Sequence, residues 1–427
     1  MQKLAPARGV LIEPVDRESA WSFYALVVFS FILLLAPQQI FPVLAPLRIA
    51  MLSIVLVVTV HVGSRLSRQL PVMHYPPGVV IALALTGWAV LTIPLSVWPG
   101  GSLSFLTSKY FKTIIVFLLL ANVISTMGRL RGIFWALVLM SIPLAATAIN
   151  NFLTGSTMSG GERIIGYDAP LAENPNDMAL LLNLFLPLAV GIFLREKRPV
   201  VRLFLLGVVG LMIVAIFATF SRAGFLTLGV TFFCYMFFLR NRPERFYAPV
   251  ILVICVMALP LVPGDYIGRL STITNIENDT TGSAQIRLRD SIAAVNIVLD
   301  NPLTGAGVGM NTLAMNEARG ATWTEIHNVY LTLAVELGLP GLILFLMLLG
   351  AALKTTRMIM DSARGNTQQY DLYCFAEALR VSLIAFSVAA VFHPVAYHFY
   401  FYYIAGIAMA LTQIRSHIDH GSSVAST

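Results

Sequence analysis

The chain is poor in charge. Lys, Arg, Asp and Glu make up 11% of its 427 residues, less than half of the roughly 25% usual in soluble domains. That scarcity excludes a water-soluble globule with a solvated, charged surface. Cysteine is scarce as well: Cys234 and Cys255 lie inside apolar runs and Cys374 near a basic loop, so neither a disulfide framework nor a thiolate metal site is indicated. No His, Cys and carboxylate cluster has convincing metal-ligand spacing, and the nearest acidic group, Glu277-Asn278-Asp279, is weak as a cation site. The first apolar run begins near Trp21 with no small-residue cleavage site after it, so it is read as a retained helix rather than a leader. An internal repeat is also lacking, and with it the signature of an inverted-repeat transporter.

What is abundant is apolar: 57% of the residues are hydrophobic. A span of about 30 Å of hydrocarbon needs roughly 20 residues. Runs of that kind fall near 20–37, 42–62, 77–95, 109–125, 132–151, 177–194, 202–220, 222–239, 247–263, 327–353, 375–392 and 398–414. The expected fold is an all-α, polytopic transmembrane bundle of about 12 helices, forming a single membrane domain over 1–427, with a large, partly helical periplasmic loop between helices 9 and 10. The stretch 202–239 is interrupted only by Ser221-Arg222. One straight helix of that length would reach about 55 Å, too long for a bilayer, so the chain must fold back there.

Charge sets the orientation. With the N-terminal segment 1–19 in the cytoplasm, the even-numbered loops hold Arg65 and Arg68; Arg129 and Arg131; Arg195, Lys197, Arg198 and Arg202; Arg240, Arg242 and Arg245; and Lys354, Arg357 and Arg364. The opposite loops are short or poor in positive charge for their length, which places both termini inside, including the tail 415–427. The net charge of +7 is spread over many short loops as topology signals, so no nucleic-acid partner is expected. Two loops remain on the outer side, 152–176 and 264–326, the second with a helix expected near 284–300, ended by Asn301-Pro302.

Several polar residues are not explained by topology. Arg222 sits at the tight fold-back between two lipid-length runs. It is either an interfacial guanidinium snorkelling to headgroups or a planar fork gripping an anionic, lipid-linked substrate. Arg287 and Arg289 open the loop helix two residues apart, about 200° around it, so one faces the bundle and the other is solvated or pairs with Asp290. His327 begins the tenth span on the same side and is suited to accept a proton or contact phosphate. His327 and Glu336 are nine apart and face opposite ways, whereas Asn328, Thr332 and Glu336 share one stripe, read as a structural contact to a neighbouring helix. Pro340 removes the helical partner of the Glu336 carbonyl. Lys112, Arg163, His393 and His398 are further candidates at the outer ends of spans. Glu377 and Arg380, three apart, read as a pair on one helix face. GAGVGMN (305–311) is a weak glycine fingerprint, more simply a loop bend, and NPND (174–177) reads as a helix cap.

In order, Asn174-Pro175-Asn176-Asp177, Ser221-Arg222-Ala223-Gly224, the Arg-bearing helix running into NPLTGAGVGMN, His327-Asn328 and Glu336-Leu337-Gly338-Leu339-Pro340-Gly341 resemble the O-antigen ligase and O-antigen/exopolysaccharide polymerase superfamily of bacterial inner-membrane glycosyltransferases. The resemblance covers roughly 160–415. It implies a metal- and nucleotide-independent transfer on the periplasmic face, without cofactors, from a glycan on undecaprenyl pyrophosphate to an acceptor hydroxyl. It implies Arg222 with Arg287 or Arg289 on the pyrophosphate and His327 on the acceptor or the phosphate. The partners implied are the lipid-linked donor and a glycan or lipid acceptor, with a chain-length regulator and a flippase beside them. The stretch PQQIFPVLAPLR (37–48) is similar to the outer turn of polymerase-like members and favours a polymerase. The alternatives are a ligase attaching glycan to lipid A-core or protein, and a carrier or flippase for a lipid-linked or anionic solute.

Overall fold

The structure, a computed structural model, describes residues 20–158, 163–247, 283–320 and 323–425. Within them the chain is an all-α membrane bundle. Its helices longer than seven residues are α1 (Ala20–Leu35), α2 (Ile49–Leu66), α3 (Pro77–Leu91), α4 (Pro99–Val123), α5 (Met127–Leu153), α6 (Pro175–Arg195), α7 (Pro199–Ala218), α8 (Arg222–Leu239), α9 (Ser283–Asp300), α10 (Asn311–Arg319), α11 (Val329–Ala363), α12 (Tyr370–Ala389) and α13 (Phe399–Ala425). Among the described residues, eight helices are long and apolar enough to cross a membrane, and α1 and α3 are apolar but shorter. The ninth span expected at 247–263 lies outside the described residues, as does the N-terminal segment 1–19.

Local sequence accounts for most boundaries. Proline opens α3, α4, α6 and α7, where its missing N–H is one that a helix start leaves unpaired anyway. Thr126, Asn174, Ser221 and Asn328 cap α5, α6, α8 and α11 with side-chain acceptors. Two starts differ most from the hydropathy reading. The second span begins at Ile49 because Pro42 and Pro46 hold 42–47 in a 3-10 turn, closed by Arg48 in the left-handed region (φ 46°). The fourth begins at Pro99, its first turns running through a π-helical stretch, Leu106–Tyr110, into the apolar part. The loop helix expected near 284–300 is α9, and α10, set between turn residues, is an addition.

Inside the bundle α6 and α12 pack against each other. A Cβ on Gly191 would lie 2.8 Å from the Ala378 side chain, and Ser382 donates to the Leu184 carbonyl at 2.9 Å. Around this pair the interior is apolar and aromatic, with Tyr110 edge-on to Tyr397 and Tyr402, and Phe117 edge-on to Tyr402. Large side chains face outward from the bundle, such as Leu203, Val214, Phe233, Ile343 and Met347, as lipid rather than water demands.

Contacts at the two ends sort the turns into two faces. On one face Arg131 and Arg198 pair with Glu196, Arg195 with Asp371, and Arg242 with Glu377, while Arg415 donates to Ser362 and Gln369. On the other, Tyr167 reaches the Leu35 carbonyl, Tyr400 that of Leu171, and Val97 donates to Ala306. The Arg-rich turns counted by charge thus lie together on one face. The expected pairing of Glu377 with Arg380 is not made. Glu377 turns into the bundle to Arg242, in the turn that follows α8, and Arg380 donates to the Leu353 carbonyl at 2.7 Å.

Candidate functional site

The site's framework is the break in α11. Gly338 stands at φ 67°, outside helical geometry, and Pro340 follows. The carbonyls this break frees are taken up by the glycine loop. Gly307 N–H donates to the Glu336 carbonyl at 2.8 Å, Ala306 N–H to Val335 at 2.7 Å, and Leu339 N–H returns a bond to the Pro302 carbonyl at 2.7 Å. Trp88 of α3 covers the Leu337 carbonyl from its indole N–H at 2.8 Å. The loop fits because Gly305, Gly307 and Gly309 all have positive φ. A Cβ on Gly305 would sit 2.6 Å from the Val335 carbonyl oxygen and from Glu336 backbone.

The Glu336 carboxylate is fully buried and turned into the same loop. It accepts from Gly309 N–H at 2.7 Å on Oε2, and from Asn311 N–H at 2.9 Å and the Asn311 side-chain amide at 2.6 Å on Oε1. The shared stripe therefore meets the glycine loop and the first residue of α10, through Glu336. Asn328 caps Tyr330 and Leu331, Thr332 donates to the Ile326 and Asn328 carbonyls, and Glu336 holds the loop. The amides of Gly305, Ala306, Gly307, Gly309, Met310 and Asn311 are engaged by protein, which removes them from phosphate binding.

At the outer end of this framework stands His327. Its Nδ1 lies 2.9 Å from the Glu325 carbonyl. A carbonyl only accepts, so Nδ1 carries the proton and Nε2 keeps its lone pair when the ring is neutral. Burial first, and then the positive charge of Arg287, push its pKa below the usual 6.5, with smaller contributions from His393 and Arg163. Arg287 is half-buried on α9 and Arg289 is exposed. The choice follows from the helix face that carries Asp290, which is buried and ion-paired with Arg319 of α10. Arg287, Asp290 and the buried Ala294 follow three- and four-residue spacing, so they share the inward face. A small second core of Ala294, Ala306, Met310, Met315, Ile326 and Val335 pins α9 and α10 to α11.

His393, 1% exposed, lies between the carbonyls of Ala389 (2.9 Å) and Asn176 (3.2 Å), and burial pushes its pKa down. It joins the α12–α13 turn to the first turn of α6. There Asn174 is the capping residue, accepting from Asn176 N–H at 2.9 Å. Asp177 is left over in that turn, within electrostatic reach of Glu325. Reading NPND as one helix cap leaves Asp177 without a role of its own. The available signal was that one cap needs a single acceptor, and Asn174 already supplies it.

Arg222 is the first residue of α8, half-buried, with Phe220 in the left-handed region (φ 53°) making the fold-back. Ser221 accepts from Gly224 N–H, and the Gly224 carbonyl takes the Asn183 amide of α6 at 3.1 Å. Arg222 thus opens α8 beside the upper turns of α6, on the same end of the bundle as His393 and His327. Arg287, His393 and Arg163 lie within electrostatic reach of His327, and Glu325 within that of Asp177. His398 is not among them. It stacks on Tyr400 and sits near Lys109, its pKa pushed down to about 4 by burial and then by that lysine's charge. Lys112 is exposed on α4, one turn beyond Lys109.

Against known proteins, residues 207–346 match a family model described as O-antigen ligase. That segment contains Arg222, Arg287, the glycine loop, His327 and the α11 break. No curated protein matches the chain. A chain from a solved structure described as "Structural coordination of polymerization and crosslinking by a peptidoglycan synthase complex" aligns at 18% identity and a TM-score of 0.40, covering 78% of this chain and 97% of that one.

Proposed function

We propose that the chain is a membrane glycosyltransferase that moves a glycan from undecaprenyl pyrophosphate to an acceptor sugar hydroxyl, polymerising repeat units of an exopolysaccharide or O-antigen. The observation that carries this reading is the gathering of Arg163, Arg287, His327 and His393 at the end of the bundle where Arg222 opens α8, inside or beside the segment that matches the O-antigen ligase family. By the distribution of Lys and Arg that end is periplasmic, in the inner membrane.

The chemistry follows from the groups. The acceptor oxygen attacks the anomeric carbon, the bond from that carbon to the lipid pyrophosphate oxygen breaks, and the pyrophosphate leaves with the electron pair. Arg222 stands at the positive pole of α8 with no acidic residue in the first turn. Helix pole and guanidinium together favour an anion there, where charge grows on the leaving group. Arg287 supports the same anion from α9. Neutral His327, with Nδ1–H fixed on the Glu325 carbonyl, offers Nε2 to the acceptor proton.

The description of the matching family favours a second reading, in which the same chemistry delivers the glycan to lipid A-core or protein. Purified protein incubated with an undecaprenyl-pyrophosphate oligosaccharide separates these. A ladder of repeat units is expected, and a single shift of an added core acceptor would mark the ligase. Absence of turnover together with counterflow in liposomes would overturn the enzyme reading in favour of a carrier.

A further inference from the structure

At the opposite end of the bundle, α8, α11 and α12 enclose a cleft of about 760 Å³. Four guanidinium groups line it, from Arg240, Arg357, Arg364 and Arg380, against the single carboxylate of Asp361, 3.7 Å from Arg357. The other wall is apolar and aromatic, with Phe233 and Phe237 among its residues, and it continues onto the outward surface of α8, where these two rings are 69% and 58% exposed.

Arg380 is the informative member. It is the eleventh residue of α12, roughly 15 Å along the axis from the basic end. A guanidinium at that depth is unfavourable on insertion scales and marks a functional site by default. Its helix neighbour Glu377 is committed to Arg242, and Arg380 instead takes the Leu353 carbonyl and faces the cleft. Arg240 lies over the Phe237 ring at 4.1 Å, so the aromatic wall helps to set the rim. Arginine floor, basic rim and a lipid-facing aromatic wall in one cleft match an amphiphile with an anionic head and apolar chains. A free anion would have no use for the aromatic wall, and a neutral lipid none for the excess of three guanidinium groups, four less the one that Asp361 answers.

We propose that this cleft binds the phosphate headgroup of an anionic phospholipid from the leaflet opposite the candidate glycosyl-transfer site, with its acyl chains along Phe233 and Phe237 of α8. Guanidinium forks suit phosphate oxygens, and basic clefts between transmembrane helices hold anionic headgroups. The inference does not depend on the proposed glycosyl transfer.

The test is native mass spectrometry of the purified full chain, titrated with phosphatidylglycerol or phosphatidylcholine. One phosphatidylglycerol should be retained at least about tenfold more tightly than phosphatidylcholine. Arg364→Gln at the exposed rim should weaken it about tenfold, and Arg364→Gln with Arg380→Gln further. Arg198→Gln, which removes a charge from the same face outside the cleft, should leave it unchanged. Equal retention of both lipids, full displacement by millimolar inorganic phosphate, or unchanged binding in Arg364→Gln would each overturn the proposal. The rim variant is solvent-accessible, so it reports even where Arg380→Gln fails to fold.

Discussion

Replacing Glu336 tests the joint between α11 and the glycine loop. Its two oxygens are not equivalent: Oε1 accepts from the main-chain and side-chain N–H groups of Asn311, and Oε2 from Gly309 N–H, with the Tyr397 hydroxyl also within reach of the carboxylate. In Glu336→Gln the amide oxygen takes the Oε1 place, where two donors converge, and the NH2 group faces Gly309 N–H. One bond is lost and a donor is set against a donor, while Asn311 keeps both of its bonds. An unsatisfied buried donor costs about 1–3 kcal/mol, equivalent to roughly 5- to 150-fold in the local opening equilibrium. Glu336→Ala removes all three acceptor contacts from a fully buried position and should cost about 3 kcal/mol or more. Amide hydrogen exchange read residue by residue is the assay. Glu336→Gln should speed exchange at Gly309 with little change at Asn311, and Glu336→Ala should speed both. Equal acceleration of the two amides in the Gln variant, or none in either, would refute the assignment of the oxygens and the role given to the carboxylate.

Arg222→Ala should abolish transfer while the protein still inserts and purifies; near-normal polymer on a gel would remove the leaving-group role. The His327 pKa lies below 6.5 because burial and then Arg287 disfavour the charged ring. A base that must be neutral loses activity as pH falls through that lowered pKa, so the acid limb should lie below pH 6.5. Arg287→Gln removes one of the lowering causes and should move the limb of the residual rate upward, whereas Arg287→Lys should leave it in place. Gly307→Ala forces a Cβ at φ 105° against the Ser96 and Ser102 side chains. It should lower the thermal midpoint by an amount matching about 1–3 kcal/mol of overpacking and strain, and a wild-type melting curve would refute the close approach.

The bundle was legible in the sequence because lipid imposes a length and a composition on every span. Arg222–Leu239 and the loop helix were placed within a residue or so, since Ser-Arg-Ala-Gly and Asn-Pro are local signals. What could not be read was which distant segment meets which. Pro340 shows that the Glu336 carbonyl needs a new donor, but nothing near it in sequence says that Gly307, 29 residues earlier, supplies it. Glu377 and Arg380 satisfied a helix-face rule and still parted, because a buried carboxylate reached an arginine in the turn beyond α8. The choice between Arg287 and Arg289 was open for the same reason: Asp290 decides it through Arg319, a partner beyond the glycine loop.

One chain of bonds connects these long-range facts to the candidate site. Glu336 holds Asn311, and Asn311 Oδ1 in turn accepts from Ile326 N–H at 3.3 Å, the residue before His327. Thr332 takes the Ile326 carbonyl from the other side. The backbone that presents the imidazole is therefore fixed at both its donor and its acceptor by groups reaching it from the loop and from the first turn of α11. His327 and Glu336 face opposite ways on a helix and cannot form a pair directly. The break at Gly338 resolves this, because it lets the glycine loop close onto Glu336 and carry the constraint back, through Asn311, to the segment that bears the histidine. Substituting Asn311 with Ala should then disturb the His327 pH limb without touching an atom of the imidazole, and an unmoved limb would break this link.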